Sequence, residues 1–215
     1  MTKKTEPIAY SPLEEKVNIG SHAFGFISSI IALALLIIKS SKTENVLIIV
    51  SSIIFGLSLI VLYAASTLYH RAKSPELRNR LRIFDHAAIY VLIAGTYTPF
   101  VLITLQGVIG WAIFGISWGI ALTGIILKLF YTGRFSTLST IMYVGMGWII
   151  VFAIKPLINN LSTEGLLWLS AGGVAYTLGA VIYSIKKIKF NHATFHLLVL
   201  IGSFCHFMSI YLYVI

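Results

Sequence analysis

Seven long apolar runs, separated by short polar or basic segments, set the pattern of this chain. They cover residues 20–38, 46–69, 83–105, 109–130, 138–158, 166–185 and 192–214. A helix that spans a membrane needs about 20 mainly apolar residues, and each run is close to that length. The pattern therefore predicts an all-α integral membrane protein, a bundle of seven transmembrane helices over residues 20–215, preceded by a polar segment, residues 1–19.

The composition agrees with a membrane protein. Hydrophobic residues make up 58% of the chain and charged residues 11%, whereas a soluble domain carries roughly 25% charge. The first apolar run is long enough to span, so we expect no cleavable signal peptide. The single cysteine excludes an intrachain disulfide, and Pro99 and Pro156 are expected to kink or end the third and fifth spans.

The basic residues predict which way the bundle crosses the membrane. With the N-terminus in the cytoplasm, 13 of the 16 lysines and arginines lie on the cytoplasmic side. The positive-inside rule therefore favours a cytoplasmic N-terminus and, with seven spans, an external C-terminus. The net charge of +9 is thus a topology signal. A nucleic-acid partner is not expected, because no basic surface interleaved with aromatic residues is visible.

Candidate metal ligands lie near the ends of three apolar runs. His192 and His196 are four residues apart, which places them on one face of a helix. In the predicted topology, the end of the second span (Ser66, His70), the start of the third (Asp85) and the start of the seventh meet at one depth in the inner leaflet. Ionisable groups inside a membrane are costly and usually functional, so we expect a metal site formed by His70, His192 and His196.

Each polar residue also has a plainer interpretation. His22 and His86 are each explained by a hydrogen bond to a neighbouring helix. His206 follows His192 by 14 residues, about 21 Å along a helix, so it cannot share that metal. For Ser66 the alternative is a hydrogen bond to its own helix. For Asp85 it is a salt bridge to Arg82.

Three motifs resemble the signature of the hemolysin III family, the bacterial branch of the progestin and adipoQ receptor family, which is grouped with the alkaline ceramidases. They are Ser66-Thr67-Leu68-Tyr69-His70, the stretch Phe84–Tyr90 running into Ala94–Pro99, and His192-x3-His196 with His206. The resemblance covers nearly the whole chain. It implies a seven-helix bundle with zinc bound by His70, His192 and His196, and with Asp85 and Ser66 around a zinc-bound water.

The chemistry of this ligand set points to a hydrolase. Three imidazoles leave one tetrahedral zinc position open, as in catalytic zinc sites. Asp85 would take a proton from water and Ser66 would donate to a developing oxyanion. The expected substrate is a membrane lipid with an amide or ester bond, ceramide-like or another acyl lipid.

Three other functions stay open at this stage. They are a receptor-like protein with a purely structural zinc, a pore-forming haemolysin, and a transporter. Spans four to six contain almost no ionisable residue, which argues against a polar channel. The sequence leaves the oligomeric state open.

Overall fold

A computed structural model describes residues 10–131 and 136–215 of the chain, and within these ranges all regular structure is helical. The helices are α1 (Pro12–Ser40), α2 (Val46–Arg71), α3 (Pro75–Pro99), α4 (Gly107–Tyr131), α5 (Ser136–Gly147), α6 (Ile154–Asn160), α7 (Thr163–Ser184) and α8 (Asn191–Tyr213). Within the described ranges, seven helical stretches are long and apolar enough to cross a membrane, with α5 and α6 together forming the fifth. The predicted seven-helix membrane bundle is confirmed, and its sidedness stays a prediction.

Two spans begin a full two turns before the predicted apolar runs. The Ser11 hydroxyl accepts a hydrogen bond from the Glu14 N–H at 3.2 Å, and Pro12 opens α1. The Ser74 hydroxyl caps α3 in the same way, ahead of Pro75. A capping serine followed by proline favours a helix start even where the next residues are polar. α1 thus runs through residue 19, while the proposed division at that point stays a prediction because residues 1–9 lie outside the described part.

Both prolines inside the spans lie at irregular points, as expected. α3 ends at Pro99 and continues as a π-helical segment, Phe100–Leu105. In the fifth span, a 3-10 segment (Ile149–Ala153) separates α5 from α6 just before Pro156. Proline lacks an N–H and its ring clashes with the carbonyl four residues earlier, so the regular hydrogen-bond ladder is interrupted there.

α1 shows how the bundle turns its polar residues inward. Its apolar side chains, such as Phe24, Ile27 and Ile31, are exposed to the surroundings of the bundle. Its buried face is small and polar, formed by Glu14, Asn18, His22, Gly25 and Ser29. In a membrane the lipid tails solvate the apolar side chains, and helices pack through small residues and polar contacts. The polar face of α1 is therefore directed at the rest of the bundle.

The packing order of the helices decides which polar residues meet. α1 packs against both α2 and α8, α3 lies between α2 and α4, and α7 packs against α8 and α5. The last turn of α2 and the first turns of α1, α3 and α8 lie at the same end of the bundle. We call this the basic end, because most of the loop lysines and arginines lie there.

Candidate metal centre

Three buried histidines direct their Nε2 atoms at one point near the basic end. His192 and His196 are one helical turn apart on α8, and their Nε2 atoms lie 3.0 Å apart. His70, in the last turn of α2, places its Nε2 atom 3.0 Å from that of His192. Ligand atoms bonded to zinc at 2.0–2.1 Å in a tetrahedron are about 3.3 Å apart. The three nitrogens are therefore close to the spacing that a bound metal ion requires.

A carboxylate fixes the orientation of one of these rings. Glu15 Oε2 lies 2.7 Å from His70 Nδ1. A carboxylate can only accept a hydrogen bond, so Nδ1 carries the proton and Nε2 presents its lone pair to the other two histidines. Metal-binding histidines commonly have such a partner on the second ring nitrogen. The donor set thus fits a metal ion, whose identity the geometry leaves open.

The carboxylate of Glu15 is itself held by a second helix. Arg78, on α3, donates a hydrogen bond from its guanidinium to Glu15 Oε1. The chain of contacts from Arg78 through Glu15 to His70 therefore joins α3, α1 and α2. Sequence reasoning placed Glu15 in a polar segment before the first span and missed this link.

α1 adds a further ring to the cluster. The imidazole of His22 stacks on that of His196, with ring centroids 3.6 Å apart and planes inclined by 11°. Within the described residues neither ring nitrogen of His22 makes a hydrogen bond. The predicted hydrogen bond from His22 to a neighbouring helix is therefore not found, and its ring instead packs against a candidate ligand.

Tyr10 covers the cluster on the side of the basic end. Its ring stacks on His192, with centroids 4.6 Å apart and planes inclined by 19°. Tyr10 precedes α1, and burial raises the pKa of its phenol well above the ordinary value. The ring is therefore neutral and packs over His192 at this end of the cluster.

His86 and His206 take plainer roles. His86 donates from Nδ1 to the carbonyl of Arg82 at 2.7 Å, so its hydrogen bond is to its own helix and not, as predicted, to a neighbouring one. His206 donates from Nε2 to the carbonyl of Leu169 on α7, at 3.1 Å. Among the described residues, the group of side chains that could hold a metal contains neither of them. The exclusion of His206 from the site is therefore supported.

Ser66 and Asp85 share a cavity with the histidines. The cavity has a volume of about 300 Å³, and His192, His196, Ser66 and Asp85 all line it. Ser66 lies one turn before His70, and its buried hydroxyl makes no hydrogen bond among the described residues. No ion pair of the described part joins Asp85 to Arg82. The two plainer interpretations of these residues are thus not observed.

The cavity extends along α8. His192 and His206 both line it, and they are 14 residues apart on α8, which is about 21 Å along the helix axis. Between these levels the wall is formed mainly by apolar and aromatic side chains, including Leu92, Tyr97 and Val199. The polar residues at the basic end therefore continue into a deep apolar arm inside the bundle.

Comparison with known proteins places the chain in a family. The haemolysin-III-related family profile matches residues 10–207. Hemolysin-3 of Bacillus cereus is 45% identical over 215 residues, covering 100% of this chain and 98% of that protein. The chain belongs to the haemolysin-III-related family.

Other relatives extend the comparison. The Hemolysin-3 homolog of Bacillus subtilis (strain 168) is 44% identical over 200 residues, 93% of this chain and 94% of that protein. Monocyte to macrophage differentiation factor of Homo sapiens is 29% identical over 206 residues, 93% of this chain and 84% of that protein. The resemblance found in the three motifs is thus confirmed at the level of the family. The family and the seven long apolar helical stretches of the described residues both indicate a multi-pass membrane protein.

The residues that sequence reasoning missed in this haemolysin-III-related protein come mainly from α1. Glu15, Asn18 and His22 lie at intervals of three and four residues, so they share one face of the helix. The signal that could have found them is Ser11-Pro12-Leu13-Glu14, a capping-box sequence that predicts a helix start. If α1 begins at residue 12, these three residues form a polar stripe on the face of the helix that is directed into the bundle.

Proposed function

We propose that this haemolysin-III-related protein is a zinc-dependent hydrolase of the cell membrane that acts on an amide or ester bond of a membrane lipid. One observation carries the proposal: three buried imidazole nitrogens converge beside a cavity that Ser66 and Asp85 also line. Three imidazoles suit zinc and leave a fourth position open, as in catalytic sites. A structural zinc site would be expected to fill all four positions with protein ligands.

The side chains have distinct tasks in this proposal. Zinc held by His70, His192 and His196 would lower the pKa of a water ligand to about 7 and polarise a carbonyl group. Asp85 accepts the proton of the attacking water and passes it to the leaving group. Ser66, with a hydroxyl that is not engaged with its own helix, donates a hydrogen bond to the oxyanion of the tetrahedral intermediate.

The shape of the cavity supports a lipid as the substrate. The reactive groups lie near the basic end, where a lipid headgroup region would meet the bundle, and the apolar arm continues toward His206. A deep, narrow and mainly apolar cavity favours an acyl chain, because burial of each CH₂ contributes about 0.8 kcal/mol. The polar end then positions the acyl carbonyl beside the histidines.

The orientation of the bundle remains part of the proposal. The excess of basic residues at the end that holds the histidines supports a cytoplasmic N-terminus and an external C-terminus. In that orientation the metal centre lies in the inner leaflet.

Paired measurements of zinc content and fatty-acid release test the assignment of Asp85. Asp85→Asn keeps the shape of the side chain but cannot act as a base. We expect zinc to stay bound while turnover falls by roughly 10²–10⁴, the usual size of general acid–base catalysis. Ser66→Ala should retain zinc with a smaller loss of turnover.

A combined loss would contradict this assignment. If Asp85→Asn lowers zinc content and thermal stability together and leaves turnover per bound zinc unchanged, Asp85 supports the metal or the fold and not the reaction.

A further inference from the structure

Two buried side chains toward the far end of the cavity have polar atoms without a partner. His206 on α8 and Thr96 on α3 are each 7% exposed, and both line the cavity. Neither His206 Nδ1 nor Thr96 Oγ1 makes a hydrogen bond among the described residues. A buried polar atom that stays unpaired costs free energy. The apolar arm therefore offers two unused hydrogen-bonding positions to a molecule in the cavity.

The surroundings of His206 fix which hydrogen-bonding role its ring keeps. Nε2 donates to the carbonyl of Leu169 on α7 at 3.1 Å, so in a neutral imidazole Nδ1 carries a lone pair and can only accept. The ring packs against Gly172, where an added Cβ would overlap it, and its centroid lies 5.3 Å from that of the Tyr176 ring. The unused position on His206 is therefore an acceptor, which requires a donor from the ligand.

The hydroxyl of Thr96 differs from those of other threonines in the helices. A helical threonine can donate to the carbonyl four residues earlier. That bond is made here by Thr67, Thr98, Thr123 and Thr177. Thr96 does not make it. One turn later on the same face of α3, the ring of Phe100 lies 6.5 Å from that of His206 between centroids, so Thr96 and His206 belong to the same part of the cavity.

A third hydroxyl belongs to this part of the cavity. Tyr63 donates to the hydroxyl of Ser203 at 2.7 Å, and the Ser203 hydroxyl lies 2.8 Å from that of Tyr176. Whichever way the second bond runs, the Tyr176 hydroxyl keeps a hydrogen or a lone pair for a further partner. Tyr176 also lines the cavity. We call Thr96, Tyr176 and His206 the deep polar site.

We propose that the deep polar site binds a hydroxyl group on the acyl chain of the lipid substrate. This inference rests on the proposed hydrolase function and narrows its substrate class to hydroxylated acyl lipids. A hydroxyl can donate to His206 Nδ1 and accept from Thr96, whereas a carbonyl oxygen cannot donate. His206 follows His196 by ten residues on α8, about 15 Å along the helix. The hydroxyl therefore belongs in the distal half of the chain, away from the bond that is cleaved.

Equilibrium binding of the fatty-acid product tests the deep polar site without any need for turnover. Purified zinc-loaded protein in detergent is titrated with stearate and with a hydroxystearate whose hydroxyl lies in the distal half of the chain. Wild-type protein should bind the hydroxylated chain about 10–100-fold more tightly, because a plain chain leaves the buried nitrogen of His206 unpaired. An isomer with its hydroxyl in the proximal half, but not beside the carboxylate, should show no such gain.

Matched variants separate recognition from folding and from partition into detergent. Thr96→Val keeps the shape of the side chain and should lower the preference for the distal hydroxyl by about threefold to tenfold. His206→Phe keeps a ring and should abolish the preference. Thr98→Val is the control, because the Thr98 hydroxyl already donates to the carbonyl of Ala94 at 2.9 Å, and it should keep the full preference. All three variants should retain zinc and the wild-type affinity for stearate.

Several results would overturn the inference. Equal binding of stearate and the distal hydroxystearate by wild-type protein would mean that the deep polar site holds water only. An undiminished preference in Thr96→Val, or an equal gain from the proximal isomer, would also contradict it.

The same measurements keep this inference separate from the hydrolase function. A preference for the distal hydroxyl without release of fatty acid from any lipid would support the deep polar site and contradict the hydrolase. Zinc-dependent release of fatty acid together with equal binding of the two chains would contradict the deep polar site and leave the hydrolase intact.

Discussion

Replacement of Glu15 by glutamine tests the link between α1 and the metal centre. The carboxylate accepts a hydrogen bond from His70 Nδ1 at 2.7 Å and so keeps the Nε2 lone pair directed at the other histidines. The amide has nearly the same shape, but it carries no charge and can turn its NH₂ group toward the ring. Loss of the partner of a metal-binding histidine typically weakens metal affinity by about 10–100-fold, which corresponds to roughly 1.4–2.8 kcal/mol.

The assay is a zinc titration of purified protein against a competing chelator. Glu15→Gln should bind zinc about 10–100-fold more weakly than wild type. Glu14→Gln is the matched control, since Glu14 is the neighbouring buried acid of α1 and its Oε1 atom makes no hydrogen bond among the described residues. Arg78→Gln should have a smaller effect, because it removes only the group that holds Glu15.

Two outcomes would refute this reasoning. One is a zinc affinity of Glu15→Gln equal to that of wild type. The other is an equal loss in Glu14→Gln, which would show that any change in charge at the start of α1 disturbs the site.

Two further predictions concern the metal and the topology. Replacement of His70, His192 or His196 by alanine should remove zinc, whereas His206→Ala should leave zinc bound. Metal analysis of the purified variants checks both results. Zinc affinity of the wild type should fall as the pH drops below about 6, because imidazole must be neutral to bind a metal and protons then compete. Reporter fusions after residues 131–137 and after Ile215 should report cytoplasm and exterior respectively, and both on one side would contradict the seven-span topology.

The number of spans and the meeting of His70, His192 and His196 could be predicted because each depends on local pattern. Apolar runs of about 20 residues identify spans directly. His192 and His196 share a helix face by spacing alone, and His70 was placed at the same depth by the alternating direction of the spans. The structure shows in addition that α1 packs against both α2 and α8 beside these histidines.

The contribution of α1 and the positions of Arg82 and Lys128 in the cavity lining could not be predicted in the same way. A search for apolar runs overlooks the polar first turns of α1, where Glu15 and Asn18 lie. Whether Arg82 and Lys128 face a loop or a cavity depends on how α3, α4 and α5 pack, and a single sequence does not specify which helices are neighbours. Tertiary packing therefore places Arg82 and Lys128 in the lining of the cavity, whereas the count of basic residues treated them only as a signal of topology.

Fatty-acid release by purified wild-type protein, measured before zinc removal, after it and after zinc is restored, tests the central claim most directly. Acyl phospholipids and ceramide are supplied in parallel as substrates. The hydrolase account predicts release that disappears with zinc and returns when about one zinc per chain is restored. Protein that keeps its fold and its zinc but releases no fatty acid from any lipid would contradict the account and leave the metal as a structural tie between α2 and α8.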